Sequence, residues 1–229
     1  VSGPTGAPGT EVVTREGPAL VRVVRPATVN GPGPGHLGTL LLGHGAGGRR
    51  DAADLLALAA LAEDGWTVVL VDQPWRVAGR RVATAPPSLD RAWTDVTTTL
   101  MTPGWQQEHD IPLPVPWVVG GRSAGARVAC RTAPETASVA GVVCLAFPLH
   151  PPGRPDRSRA AELARPLAAA LPTLVVQGTR DPFGTPEEVS AAVGPDPALT
   201  LVPVPGAHSP SRELTTVRRQ VADFLAALP

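Results

Sequence analysis

From Ala19 onward, short β-branched or Leu-rich runs alternate with longer segments of Ala, Leu and Arg. That alternation predicts an α/β chain, with a mostly parallel, doubly wound sheet flanked by helices, because parallel strands need crossovers long enough to hold a helix. Ala19 to Arg25 reads as an early strand, Pro26 to Gly35 as the Gly/Pro turn after it, and Gly38 to Leu42 as a buried strand. Asp51 to Ala62 places Leu55, Leu58 and Leu61 at helical spacing, with a stop at Asp64-Gly65 before a strand from Thr67 to Val71. Ser88 can cap a helix reaching Met101, and Pro112, Pro114 and Pro116 then lead into the strand Trp117 to Val119. Ala124 to Thr132 is the next helix. Val139 to Phe147 and Thr173 to Val176 are two further buried strands around a helix from Arg159 to Leu171. Thr185-Pro186-Glu187-Glu188 has the form of a capping box with Pro at the first helical position. Leu199 to Val204 is the last strand, and Leu214, Val217, Val221, Phe224, Leu225 and Leu228 form one stripe of a terminal helix. No repeat, composition shift or long linker interrupts the series, so residues 11–229 read as one domain behind a flexible end at residues 1–10.

Composition acts mainly by exclusion. The 43% hydrophobic and 17% charged residues suit a soluble domain with one substantial core. Twenty Arg, with no Lys, balance twenty acidic residues, so no net field favours nucleic acid or an anionic membrane. No apolar run approaches the ~18–20 residues of a membrane span, and no basic-then-apolar leader opens the chain, so the expected location is cytoplasmic. Cys130 and Cys144 lack metal-ligand spacing and read as buried free thiols.

The chemistry enters at Gly121-Arg122-Ser123-Ala124-Gly125, a G-x-S-x-G pattern standing directly after an apolar strand and directly before a helical segment. The bare pattern is moderately specific; its position between strand and helix carries the weight. Glycines are needed there because the Ser sits on a sharp, strained turn where neighbouring Cβ atoms would clash with the elements it joins. A Ser hydroxyl is a weak nucleophile until a base takes its proton, and the base must be held in one tautomer by a third group. After such an elbow the partners come in the order acid, then His, each in a loop at the carboxyl end of a later strand. Gly178-Thr179-Arg180-Asp181-Pro182 follows one late strand and Pro205-Gly206-Ala207-His208-Ser209 the last, which assigns Asp181 as the orienting carboxylate and His208 as the base for Ser123.

A developing oxyanion needs two backbone N–H donors. Ala124, directly after the nucleophile, is one; the second is assigned to Ala46 in Gly43-His44-Gly45-Ala46-Gly47-Gly48, where the backbone is open to close approach. A phosphate-cradling loop is the rival reading, but no G-K-[ST] follows and the spacing departs from G-x-G-x-x-G. His44 is expected to act as a structural hydrogen-bonding residue, and His36 and His109 to be solvated. Phe147, His150 and Trp75 follow strand ends and are the expected substrate-binding residues; Phe183 is a further wall candidate.

On Gly43 to Gly48, Gly120 to Ala126, Phe147 to Pro155, Gln177 to Glu188 and Gly206 to His208, the chain resembles the small α/β hydrolases related to dienelactone hydrolase. Within them it is most similar to the predicted hydrolases grouped with testis-expressed and chromatin-complex α/β-hydrolase-like proteins. Where related hydrolases often carry a further Gly after the motif, Ala126 stands here. The resemblance implies an α/β-hydrolase fold with no large cap domain, a small-molecule acyl substrate cleaved at an ester, thioester or lactone, and neither metal nor organic cofactor. Alternatives are acyl transfer or peptide cleavage by the same residues, and a non-catalytic interaction module that kept the fold. Physiological substrate and oligomeric state are not encoded in any motif.

Overall fold

The strands are β1 (Thr10–Val12), β2 (Ala19–Val24), β3 (Gly38–Gly43), β4 (Trp66–Asp72), β5 (Trp117–Arg122), β6 (Val139–Leu145), β7 (Thr173–Gly178) and β8 (Leu199–Val204). They form one sheet in the order β1-β2-β4-β3-β5-β6-β7-β8, in a computed structural model that describes residues 9–27, 37–47, 51–209 and 213–228. β2 runs antiparallel to β1 and β4, and every later pairing is parallel. The helices are α1 (Ala53–Ala59), α2 (Pro74–Val77), α3 (Pro86–Met101), α4 (Pro103–Glu108), α5 (Ala124–Thr132), α6 (Ala160–Ala168), α7 (Pro186–Val193) and α8 (Leu214–Ala226).

The near-continuous apolar strands bury both faces. Side chains alternate across a strand, so Leu40 and Leu42 pack with Leu55 and Leu58 of α1 and Val217, Val221 and Leu225 of α8. Leu41 points the other way, into a cluster with Trp93 and Val96 of α3, Val128 and Ala129 of α5, and Leu163 of α6. Each such Leu contributes about 1.5–3 kcal/mol of burial free energy. β3 pairs with β4 on one side and β5 on the other, so strand order reverses there. The loops leaving the carboxyl ends of β3 and β5 therefore diverge around a crevice, the place where an open α/β sheet accommodates a ligand.

Several boundaries differ from the sequence reading, each for a local reason. Thr10 belongs to an edge strand paired with Val21, not to a flexible end; residues 1–8 of that expected end lie outside the described residues. The Pro26 to Gly35 turn lies outside them from residue 28. The expected helix to Ala62 tightens into a 3-10 turn at Ala60–Asp64, which Gly65 ends in the left-handed region at φ 97°. α3 starts with Pro86 at its first turn rather than at a Ser88 cap, since Pro is preorganised for that position. β6 stops at Leu145 because Ala146 turns to φ 52°. The capping box at Thr185 forms in both directions. Cys130 and Cys144 are free and buried with sulfurs 3.4 Å apart, and the contact with Cys144 together with burial pushes the Cys130 thiol well up. Among the described residues no helix is long and apolar enough to cross a membrane, and no cluster of His, Cys, Asp and Glu could hold a metal.

α5 is clamped to its neighbours by charge. Arg131 reaches Asp90 of α3 at 2.6 Å and Glu162 of α6 at 2.7 Å, and Arg127 also holds Glu162, at 2.6 Å. Burial alone would push the Glu162 carboxyl up, but Arg127 and Arg131 outweigh it and hold it below the usual Glu range. A carboxyl depressed in the folded state stabilises the protein above its unfolded value, and that stabilisation is lost as pH falls through the folded value. Glu162→Gln is therefore expected to cost about 1 kcal/mol at pH 7, allowing for solvent screening. Denaturant titrations of both proteins at a series of pH values check this: the gap closes on acidification below the usual Glu range of about 4.3. A gap constant with pH would refute the assignment.

Candidate active site

β5 ends at Arg122 and α5 begins at Ala124, so Ser123 alone makes the turn between them. Its backbone lies at φ 51° and ψ −107°, outside the regions an L-residue ordinarily occupies, a strain of about 1–3 kcal/mol. The flanking glycines make the turn possible: a Cβ at Gly121 or at Gly125 would come 2.3 Å from the Gly43 carbonyl oxygen. With no side chain at either position, the start of α5 packs directly on the end of β3. The Ser123 N–H donates to the Leu145 carbonyl at 2.9 Å, which holds the turn against β6.

Asp181 and His208 arrive from the loops after β7 and β8. Ser123 Oγ lies 2.8 Å from His208 Nε2, and His208 Nδ1 lies 2.8 Å from Asp181 Oδ2. A carboxylate only accepts, so Nδ1 carries the proton and Nε2 presents its lone pair to the Ser123 hydroxyl. The Asp181 side chain is fully buried, and burial is tolerable because every lone-pair direction in use is matched. Oδ1 accepts the Phe183 N–H at 2.8 Å, and Oδ2 accepts from Gln177 Nε2 at 3.0 Å as well as from His208. Phe183 also lies on the imidazole, ring centroids 4.2 Å apart and planes 33° apart.

The loop after β3 passes beside Ser123: a Cβ at Gly45 would sit 3.4 Å from the Ser123 Cβ. His44 is buried, and its Nδ1 is 2.9 Å from the Gly45 carbonyl oxygen while its Nε2 accepts the Gln73 N–H at 3.2 Å. Burial pushes the imidazole down, in keeping with a neutral ring that donates from Nδ1. Because a trans peptide points its N–H opposite to its C=O, that bond also sets the direction of the Ala46 N–H. Ala124, first residue of α5, has an N–H with no carbonyl a turn earlier to receive it. Gly48 of the same loop lies outside the described residues.

The expected substrate wall is placed differently. Phe147 is 0% exposed and belongs to the apolar core; a side chain with no accessible surface offers a substrate nothing to touch. The apolar environment at the end of β6 draws the ring inward, and what Phe147 presents toward the acid loop is its carbonyl, 3.2 Å from Gln177 Nε2. Trp75 is likewise buried in that core, edge-on to His44 with centroids 5.3 Å apart. His150 is buried too. Its N–H donates to the Phe183 carbonyl at 3.0 Å, its Nδ1 is 3.0 Å from the Pro151 carbonyl oxygen, and its Nε2 is 3.7 Å from Glu188. It braces the loop that carries Asp181. His109, expected in solvent, stacks on Trp105 at 4.2 Å with Nδ1 2.9 Å from the Trp105 carbonyl oxygen; His36 lies outside the described residues.

Gln177 was not singled out from the sequence, although it touches Asp181, the Phe147 carbonyl and the Gly184 carbonyl through one amide nitrogen. Its signal was available: a lone amide at the end of the apolar run Thr173–Gly178, in a strand with every residue buried, demands partners.

The fold agrees with that of known proteins. An alpha-beta serine hydrolase homologue from Coxiella burnetii superposes with a TM-score of 0.72 at 20% identity, over 97% of this chain and 99% of that one. A serine hydrolase without lid from Xanthomonas campestris gives 0.69 at 22% identity over 100% and 98%. Dienelactone hydrolase from Anabaena variabilis gives 0.67 at 21% identity over 96% of each chain. At such identities these matches speak for the fold. No curated protein matches the chain. Residues 37–220 match the alpha/beta hydrolase domain family over most of the chain's length, and the protein belongs to that family.

Proposed function

We propose that the protein is a serine hydrolase that cleaves a carboxylic ester, thioester or lactone through an acyl-enzyme. The observation that carries the reading is the unbroken relay from Ser123 Oγ through His208 to Asp181, with both contacts at 2.8 Å, built on a strained backbone turn. An interaction module gains nothing from such strain, whereas a nucleophile gains exposure at the mouth of the crevice.

In the first half-reaction Ser123 Oγ attacks the acyl carbon and its proton passes to His208 Nε2. Asp181 faces the resulting imidazolium at Nδ1, and the carbonyl oxygen, now negative, turns toward the Ala46 and Ala124 N–H groups. As the tetrahedral adduct collapses, His208 returns the proton to the departing alcohol or thiol. Water then attacks the acyl-enzyme with His208 again as base, which releases the acid and restores the Ser123 hydroxyl. Between β6 and β7 the chain holds only a 3-10 turn at Pro155–Arg157 and α6, which supports a site with no large cap and room for a bulky acyl group.

Two measurements test this. A fluorophosphonate probe is expected to form one adduct, located by mass spectrometry at Ser123, and p-nitrophenyl esters of graded acyl length to be turned over. Folded protein that neither carries the adduct nor turns over any ester would overturn the reading. Product analysis with competing alcohols separates hydrolysis from acyl transfer.

A further inference from the structure

Arg122 occupies the variable position just before the nucleophile, and its side chain is mostly buried, 14% exposed. Its guanidinium faces three different elements. Nε pairs with Asp54 Oδ2 at 2.9 Å, in the first turn of α1. Nη2 donates to the His208 carbonyl at 3.1 Å and to Ser209 Oγ. Nη1 packs on Gly45, 3.0 Å from where a Cβ there would lie. Asp54, only 7% exposed at its side chain, is itself tied down, its Oδ1 accepting the Leu55 N–H at 3.0 Å.

We propose that Arg122, anchored by Asp54, is a positioning residue that pins the turn bearing His208 beside the loop bearing Ala46, and so sets the geometry between base and nucleophile. The inference rests on the hydrolase reading above. Its physical basis is reach. His208 is 85 residues from Ser123 along the chain and stands in a turn of residues 205–209 outside any strand or helix. Its Nδ1 is held by Asp181, and Phe183 lies on its ring. Those contacts restrain the imidazole, and the Arg180 N–H holds the start of the turn at the Gly206 carbonyl, 2.8 Å away; past Gly206, the His208 carbonyl and the Ser209 hydroxyl are fastened by Arg122. A planar fork with five donors can hold a carboxylate with one edge and a carbonyl and hydroxyl with the other. Arg122 does this from the residue adjoining Ser123, so nucleophile and base are referenced to one rigid strand end. Misplacement of a reacting group by about 1 Å costs on the order of 100-fold in rate.

The test uses the full chain as wild type, Asp54→Asn, and the pair Asp54→Asn with Arg122→Met. The pair removes both charges together, so no buried charge is left alone. The pair is expected to fold, with kcat and the rate of fluorophosphonate labelling lowered about 10- to 100-fold and KM within about twofold. The low-field proton NMR signal of the His208 Nδ1–H bonded to Asp181 is expected to broaden. Asp54→Asn alone, with the bonds to the His208 turn still made, is expected to lose less. A folded pair variant with wild-type kcat and an unchanged signal overturns the proposal. If the pair does not fold, Arg122→Lys, which keeps the charge but lacks the fork, decides by the same readouts. Should the wild type prove inactive and unlabelled, the hydrolase reading falls, and the NMR comparison still decides whether Arg122 positions His208.

Discussion

Ser123→Ala is expected to lower kcat/KM for an activated ester by about 10⁴- to 10⁶-fold and to abolish fluorophosphonate labelling. The loss is large because in the proposed reaction the hydroxyl supplies the bond-forming atom, and neither His208 nor the two N–H groups can substitute for it. Residual catalysis of about 10³- to 10⁴-fold over water is expected from the remaining donors and from binding. The fold is expected to persist. Ser123 Oγ bonds only His208 among the described residues, and Ala inherits the same backbone turn, so Tm shifts by about 2 °C or less. Steady-state kinetics beside a thermal melt check both halves. A variant within tenfold of wild type would show that another nucleophile carries the reaction.

Asp181→Asn is expected to cost about 10⁴-fold in kcat, for a reason legible in its contacts. Three donors converge on the carboxylate: the Phe183 N–H at Oδ1, and Gln177 Nε2 and His208 Nδ1 at Oδ2. An amide has one acceptor oxygen, so either orientation sets its NH2 against a donor. With the oxygen toward Phe183, the NH2 meets Gln177 and His208, and the imidazole answers by moving its proton to Nε2. A ring protonated at Nε2 cannot take the Ser123 proton. With the oxygen toward His208, the Phe183 N–H loses its acceptor and the loop shifts, at about 1–3 kcal/mol for the unsatisfied buried group. Rate measurements across pH and a denaturation curve separate the routes: a full rate loss at unchanged stability marks the first, and a partial loss with a destabilised fold marks the second. Activity within tenfold of wild type would remove Asp181 from its orienting role.

The two substitutions act at opposite ends of one relay, and their effects are expected not to add. Once Ser123 is absent, the tautomer of His208 has no proton to receive, so the double variant is expected to match Ser123→Ala alone.

How far the chain could be read in advance follows from what each feature depends on. The parallel strands were legible because burial on both faces leaves a near-continuous apolar run, as in Leu40 to Leu42 and Val118 to Val119. α2 and α4 were not, being helices of four and six residues that open on Pro74 and Pro103, too short for any periodicity. β1 was hidden for a similar reason, since three residues at a sheet edge carry little pattern. Phe147, Trp75 and His150 were placed at the substrate wall by proximity to strand ends, but proximity does not say whether a side chain turns into the crevice or back into the core.

The sequence by itself determined the order of β2 to β8 and of the helices other than α2 and α4, the strand–turn–helix setting of Ser123, and the loops that hold Asp181 and His208, because each depends on neighbours within a few residues and on a local steric rule. The tertiary structure alone decided which side chains fasten the site: Gln177 under Asp181, Phe183 on His208, His44 behind the Gly45 carbonyl, and Arg122 between Asp54 and the His208 turn. Most of those contacts join residues remote in sequence or depend on which way a buried polar group finds its partner, and that choice is made only when the sheet has brought separate loops to one edge.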